Sequence, residues 1–134
     1  MRLTALFIAA FAALVFASPA IAQPHMHNGS LMNIEVSGGD MIIRYLVPRR
    51  GMQEQGVMGD EVLFSGKIIA GIAYGTAYIF KGGCPPAPYR VSGRFDEGGL
   101  ILKGKAPFFQ RGTCHIAGYR SSGENNTLIF TPTE

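Results

Sequence analysis

The chain has 134 residues, among them 18 glycines and two cysteines, and a formal net charge of +3. This length allows one domain with a modest core and excludes a second domain. The charge excess is too small to argue by itself for nucleic-acid binding. Short apolar runs broken by glycine are typical of β structure rather than of long helices.

The first 22 residues have the three zones of a cleavable signal peptide. Arg2 precedes the apolar run 5–16, and Ala20 and Ala22 fit the small-residue rule for cleavage before Gln23. A transmembrane anchor is the alternative, but the run is shorter than the roughly 20 apolar residues that cross a bilayer. We therefore predict a periplasmic or secreted protein that is soluble after cleavage and has no transmembrane segment.

Residues 23–30 are predicted to be a flexible N-terminal arm. His25 and His27 could form a weak copper site, but Pro24 has no amide proton to lose and so breaks the square-planar chelate of a free amino terminus. We therefore predict no resident metal or cofactor, with the His25 and His27 site left open as a weak possibility. Asn28-Gly29 is interpreted as a turn that leads into the first strand.

Residues 31–134 are predicted to form a single β domain. Glycine-bearing turns separate eight runs rich in Ile, Val, Tyr and Phe, which is the sequence signal for β-hairpins. The four predicted hairpins pair 31–36 with 41–47, 61–69 with 72–81, 89–96 with 100–106, and 113–120 with 127–131. Glycines inside several runs suit a strongly coiled sheet. We predict an all-β fold, an antiparallel up-and-down barrel of about eight strands, with a β-sandwich as the alternative.

The longest segment between strands is 48–60, which has room for one helical turn at most. One interpretation is a contact surface that exposes Arg49, Arg50, Met52 and Met58. The favoured interpretation is a lid, in which Met52 and Val57 plug one end of the barrel.

Cys84 and Cys114 are predicted to form one disulfide, as expected for an exported protein with an even number of cysteines. A reactive thiol pair or a metal site is the weaker alternative, since neither a C-x-x-C spacing nor further ligands accompany them. A disulfide would also remove Cys114 as a nucleophile beside His115. With no recognisable catalytic motif in the sequence, we predict that the protein is not an enzyme.

Strand alternation places Arg90, Arg94, Lys103 and Lys105 on one face of the third hairpin. These four cations, together with Arg49 and Arg50, are the candidate ligand-binding residues, with a polyanion or an acidic protein as the expected partner. The simpler alternative is that they keep an outer face soluble.

Several short motifs occur in a recognisable order along the mature chain. They are His27-Asn28-Gly29-Ser30, Pro48-Arg49 with Gly51-Met52, Gly75-Thr76-Ala77-Tyr78 with Phe80, Gly83-Cys84 and Gly118-Tyr119. In this order and spacing the chain resembles the small exported proteins of unknown function found in alphaproteobacteria of the rhizobial type. It departs from them at Met26, where an aromatic residue often stands. The resemblance implies a protein of the cell envelope and supplies no mechanism.

The function predicted from the sequence is therefore non-catalytic binding of an envelope glycan or a protein, with no nucleic-acid partner. An inhibitor of lysozyme or of a protease is one alternative. A carrier of a small apolar ligand is another, and it is disfavoured because eight short strands leave an interior that side chains nearly fill.

Overall fold

The computed structural model describes residues 12–15 and 20–134. Most of the predicted signal peptide lies outside these residues. The strands are β1 (Ile21–His27), β2 (Ser30–Ser37), β3 (Asp40–Val47), β4 (Val62–Ile69), β5 (Ile72–Ile79), β6 (Ala87–Asp96), β7 (Gly99–Lys103), β8 (Ala106–Phe109), β9 (Ile116–Arg120) and β10 (Thr127–Pro132). A short helix α1 (Arg50–Glu54) follows β3, and a 3-10 turn (Glu124–Asn126) precedes β10.

Eight of these strands form a closed antiparallel barrel in the order β1-β2-β3-β4-β5-β6-β7-β10, with β10 returning to pair with β1. Neighbours around the barrel follow chain order except at the step from β7 to β10. The predicted up-and-down barrel is thus confirmed, and the sandwich alternative is excluded. The strands β8 and β9 form a separate two-stranded ribbon outside the barrel.

Three of the four predicted hairpins are confirmed, and the fourth is wrong. Residues 113–120 do not pair with 127–131, because their strand β9 pairs with β8, with Pro107 opposite Tyr119. The barrel strand that was predicted to continue to residue 106 ends at Lys103, and the chain leaves the barrel there. Ala106 and Pro107 are buried, and Ala106 joins the core cluster, so β8 packs against the barrel next to β6.

The predicted flexible arm is also wrong, because residues 23–27 belong to β1, which pairs with β2 and β10 and closes the barrel. Asn28 and Gly29 have φ values of 49° and 81°, as the tight two-residue turn of a β-hairpin requires. His25 on this strand is only 2% exposed. The strand β1 begins at Ile21, two residues before the predicted cleavage point.

Away from the end of the barrel that lies next to α1, apolar side chains fill the interior. The largest fully buried apolar side chains are Phe64, Phe130, Met32, Ile34, Met41, Ile43, Leu100 and Leu102. On β4 and β5, Gly66 lies opposite Gly75, and a Cβ added to Gly75 would meet the Ser65 carbonyl oxygen at 2.4 Å. The backbones of these strands therefore approach more closely than any residue with a side chain would allow, which tightens this wall of the barrel.

The segment after β3 covers one end of the barrel. Val57 is 3% exposed and joins the core, and Met52 packs against it. The Gln55 side chain accepts a hydrogen bond of 2.8 Å from the Gly82 amide, which ties the segment to the loop after β5. The predicted lid is therefore confirmed, although Met58 remains 70% exposed as the contact-surface alternative expected.

Cys84 and Cys114 form the predicted disulfide, with their Cα atoms 5.4 Å apart. This bond joins the loop before β6 to the loop of the β8–β9 ribbon. Among the described residues, no helix has the length and apolar composition needed to span a membrane.

Candidate ligand-binding site at the barrel mouth

A cavity of about 390 Å³ lies at the end of the barrel that α1 covers, which we call the mouth. Its apolar lining comes from Met52, Leu63, Ile79, Phe80, Phe109 and Leu128. Its polar lining comes from His27, Asn28, Ser30, Tyr45, Arg49, Gln55, Lys81, Tyr89, Glu124 and Asn125. The volume falls near the lower end of the range for small-molecule sites, about 300–1,000 Å³. Space for a ligand therefore exists at the mouth, where the sequence predicted a nearly filled interior.

Two tyrosines reach the mouth from the inner faces of their strands. Tyr45 is 2% exposed and packs edge-on against Phe80, with ring centroids 6.0 Å apart. The Tyr89 hydroxyl donates a hydrogen bond of 2.6 Å to the Asn125 carbonyl oxygen. Burial raises the pKa of Tyr45 to about 12 and also raises the pKa of Tyr89. Both phenols are therefore protonated at neutral pH and can act as hydrogen-bond donors.

The Tyr45 hydroxyl differs from the Tyr89 hydroxyl in its partners. Among the described residues, none accepts a hydrogen bond from the Tyr45 hydroxyl. The described residues also contain no fully buried side-chain oxygen or nitrogen atom that lacks a hydrogen-bond partner. The hydroxyl must therefore be accessible from the cavity that Tyr45 lines. A buried donor that faces open space favours a ligand with an acceptor atom.

Arg49 supplies a positive charge at the same place. It precedes the first residue of α1, and its backbone amide donates a hydrogen bond of 2.8 Å to the Ser30 hydroxyl oxygen. Its side chain lies between two glycines: a Cβ on Gly29 would be 3.7 Å from its Cδ, and a Cβ on Gly51 would be 2.3 Å from its Nη1. Because glycine has no side chain, the guanidinium can lie across the first turn of the helix.

No ion pair within the described residues neutralises Arg49. The pairs they form are Arg44 with Glu35, Arg50 with Glu54, and Lys67 with Asp40. Burial raises the pKa of Tyr45, and the positive charge of Arg49 lowers it by a smaller amount. Arg49 and Tyr45 both line this cavity, so one ligand there can contact both side chains.

Lys81 provides a second cation, held by the β8–β9 ribbon. Its Nζ donates a hydrogen bond of 2.7 Å to the Thr113 carbonyl oxygen and lies 5.0 Å from the centre of the Phe109 ring. The Cys84 amide in turn donates to the Lys81 carbonyl oxygen at 3.0 Å. The Cys84–Cys114 disulfide therefore anchors one wall of the cavity.

His27 lines the mouth as a neutral imidazole. Its Nδ1 donates a hydrogen bond of 2.8 Å to the Ile129 carbonyl oxygen, and its ring stacks on Phe130 at 4.5 Å. Burial lowers the pKa of His27, and this outweighs the hydrogen bond to Ile129, which raises it. With Nδ1 acting as the donor, Nε2 is left as an acceptor.

His25 shares the inner face of β1 with His27 but is buried, and its Nδ1 lies 3.1 Å from the Gln23 carbonyl oxygen. Within residues 12–15 and 20–134, no group of three or more His, Cys, Asp or Glu side chains is placed to hold a metal ion.

The six cations predicted as ligand-binding residues lie in different places. Arg49 lines the mouth, whereas the neighbouring Arg50 side chain is 92% exposed and pairs with Glu54 at 3.5 Å. Arg90 and Arg94 are exposed on the outer face of β6, Lys103 is exposed on β7, and Lys105 is exposed in the link to β8. The structure therefore separates a mouth site from an outer basic face.

The sequence interpretation missed Tyr45, Tyr89, Lys81 and His27 as residues of one site. A signal for Tyr45 was present: it follows Met41 and Ile43 at alternate positions, which places its hydroxyl inside the barrel next to the segment predicted as a lid. The approach of Lys81 to the mouth depends on the ribbon and could not be read from local pattern.

Barrels of eight strands are either filled by their own side chains or hold one small ligand, and this barrel has a lidded cavity at one end. Architecture of this kind does not determine a ligand. Comparison of the chain with protein-family models, with curated proteins and with solved structures finds no match.

Proposed function

We propose that this protein is a non-catalytic binding protein of the bacterial cell envelope that holds a small amphipathic anion in the mouth of its barrel. The observation that carries the proposal is the Arg49 guanidinium, which has no carboxylate partner among the described residues and lines the same cavity as the accessible Tyr45 hydroxyl. Together they offer a charge and a hydrogen-bond donor to one anionic group.

The charges of the lining support an anion over a neutral ligand. Two of the described lining residues, Arg49 and Lys81, are cationic, and one, Glu124, is acidic. A lowered pKa keeps His27 neutral. An excess of positive charge in a partly dry cavity favours a negatively charged group.

The apolar lining supports a ligand with a hydrocarbon body. Met52, Phe80 and Phe109 surround the space beside the polar groups. A purely apolar ligand, as in the carrier alternative, would leave the Tyr45 hydroxyl and the Arg49 charge unsatisfied, which costs free energy. An anion with a short alkyl chain or one aromatic ring satisfies both halves of the lining.

The envelope location rests on residues 1–22, whose pattern predicts export, and on the Cys84–Cys114 disulfide, which suits an oxidising compartment.

Isothermal titration calorimetry can test the proposal on protein processed from the full chain by export. The probes are octanoate, benzoate and phenyl phosphate, each compared with a neutral analogue, octanamide, benzamide or phenol. We expect at least one anion to bind more tightly than its neutral analogue. Arg49→Gln should weaken that binding about tenfold to one-hundred-fold, the usual contribution of a hydrogen bond to a charged group.

Arg50→Gln is the matched control. It removes the same charge from the neighbouring residue, whose side chain points into solvent. Its affinity should equal that of the unmodified protein. The proposal is wrong if no anion exceeds its neutral analogue, or if Arg49→Gln and Arg50→Gln have equal effects.

A further inference from the structure

A groove runs along the outside of the barrel, beside the β8–β9 ribbon. We call it the basic groove and define it by Tyr74, Thr76, Arg90, Ser92, Lys103, Lys105 and Tyr119. Two adjoining hollows form it: Tyr74, Arg90, Ser92 and Lys103 line one, and Thr76, Arg90, Lys105 and Tyr119 line the other. Arg90 belongs to both, so the hollows adjoin each other at this residue.

The strand register explains this arrangement. Tyr74 on β5 lies opposite Ser92 on β6, which lies opposite Lys103 on β7, so the three side chains form one row across the sheet. At about 4.8 Å between strands, the row is roughly 10 Å long. Thr76 lies opposite Arg90 and begins the next row.

The groove carries positive charge that the described residues do not neutralise. Arg90, Lys103 and Lys105 are all exposed and take part in none of the ion pairs found among residues 12–15 and 20–134. The acidic residues nearest along these strands, Asp96 and Glu97, lie at the β6–β7 turn, and the rows at Ser92 and Arg94 separate them from Arg90. A partner with regularly spaced negative charges would complement this surface.

Tyrosines with exposed rings stand in both hollows. Tyr74 is 43% exposed and Tyr119 is 56% exposed. A tyrosine presents a broad apolar face with a polar tip, which suits the apolar face of a sugar ring bordered by hydroxyl groups. Ser92 and Thr76 add hydroxyls that can hydrogen-bond to a polyhydroxylated chain.

We propose that the basic groove binds an acidic glycan, a chain of sugar rings that carries carboxylate groups. Arg90, Lys103 and Lys105 pair with the carboxylates, and Tyr74 and Tyr119 stack on sugar rings. A polysaccharide is favoured over an acidic protein or a nucleic acid because aromatic faces alternate with hydroxyls and cations along the groove, and because the predicted export takes the chain to a glycan-rich compartment. The cations of the groove do not line the mouth cavity, although Tyr89 borders both, and the groove proposal does not depend on the ligand proposed at the mouth.

Biolayer interferometry on the protein processed from the full chain can test the groove with four probes of similar length. They are polygalacturonate, neutral dextran, polyglutamate and oligodeoxythymidylate. We expect polygalacturonate to bind most tightly and its binding to weaken as salt rises. Arg90→Gln with Lys103→Gln should weaken it at least about tenfold, since two charged contacts are lost.

Tyr74→Leu and Tyr119→Leu test recognition of sugar rings apart from charge. Each should weaken polygalacturonate binding about two- to tenfold, the range of specific aromatic contacts, because leucine keeps an apolar side chain but loses the flat face. All of these side chains are exposed, so unchanged urea unfolding midpoints should accompany the losses.

Arg111→Gln is the matched control for charge, because Arg111 is an exposed cation in the β8–β9 loop that lines neither hollow and takes part in none of the ion pairs found among the described residues. Arg49→Gln is the control for the mouth site. Neither should change polygalacturonate binding, and the groove variants should not change binding of the anions at the mouth. The groove proposal is overturned if polyglutamate or oligodeoxythymidylate binds as tightly as polygalacturonate. Indifference to both tyrosine substitutions, or an equal loss in Arg111→Gln, would overturn it as well.

Discussion

Replacing Gly51 with alanine should strengthen the fold and weaken ligand binding at the same time. Gly51 lies in the first turn of α1, and a Cβ added there would be 2.3 Å from Nη1 of Arg49 and 3.3 Å from its Cζ. The backbone of Gly51 does not have a positive φ, so alanine fits its conformation. Because the obstructing atoms are the far end of a flexible side chain, Arg49 should move rather than the helix.

The two expected effects have opposite signs. Alanine in place of glycine within a helix stabilises it by up to about 1 kcal/mol, since the unfolded chain loses conformational freedom. Displacing the guanidinium from the mouth should cost the ligand about 1.5–3 kcal/mol of binding free energy, the value of a hydrogen bond to a charged group. Affinity should therefore fall about tenfold to one-hundred-fold.

Urea unfolding and calorimetry with the tightest anionic probe measure the two effects on the same samples. Combining Gly51→Ala with Arg49→Gln completes a double-mutant cycle, in which alanine should cause no further loss of affinity once the guanidinium is absent. If Gly51→Ala keeps full affinity, or if its loss is undiminished in the Arg49→Gln background, then Gly51 does not act through Arg49 and the assignment fails.

Three further predictions concern the fold. Cys84→Ser with Cys114→Ser removes a cross-link over a sequence separation of 30 and should lower the free energy of unfolding by about 3.6 kcal/mol by the loop-entropy relation; an unchanged urea midpoint would contradict it. Gly75→Ala places a Cβ 2.4 Å from the Ser65 carbonyl oxygen and should destabilise by about 1–3 kcal/mol or more, whereas at Gly39 the nearest atom is 3.9 Å away and alanine should have little effect. Because burial holds the pKa of folded His27 below its ordinary 6.5, the unfolded chain takes up the proton more readily. The free energy of unfolding should thus fall as pH drops below about 6.5, and His27→Phe should reduce that dependence in acid unfolding curves; equal slopes would refute it.

Local pattern predicted much of the barrel. Alternation of inward and outward residues, with glycine turns at short intervals, was enough to place three hairpins. The disulfide was predicted separately, from the two cysteines of a chain with an export pattern. The Asn28-Gly29 turn also contained the information for β1, since Asn-Gly favours a two-residue hairpin. Proline at position 24 and two histidines obscured it, because they lower the expected strand propensity and hydrophobicity.

Strand partners at a distance in sequence could not be predicted in the same way. Residues 113–120 and 127–131 are each strand-like, but which strand pairs with which depends on where the chain leaves the barrel. The strand β10 pairs with β1, which lies about one hundred residues earlier in the chain, and with β7, from which the β8–β9 ribbon separates it. Only closure of the whole sheet selects these two partners.

The same distinction between local pattern and long-range contacts applies to the candidate sites. The sequence by itself determined the class of fold, the disulfide and the segment that caps the barrel, because each follows from residues close together in the chain or from the chemistry of a single residue type. Only the tertiary structure brought Tyr45, Arg49 and Lys81 to one cavity and set Arg90 between two tyrosines. A binding site consists of distances between side chains on different strands, and those distances are fixed by barrel closure and by the ribbon packed against it rather than by any local preference.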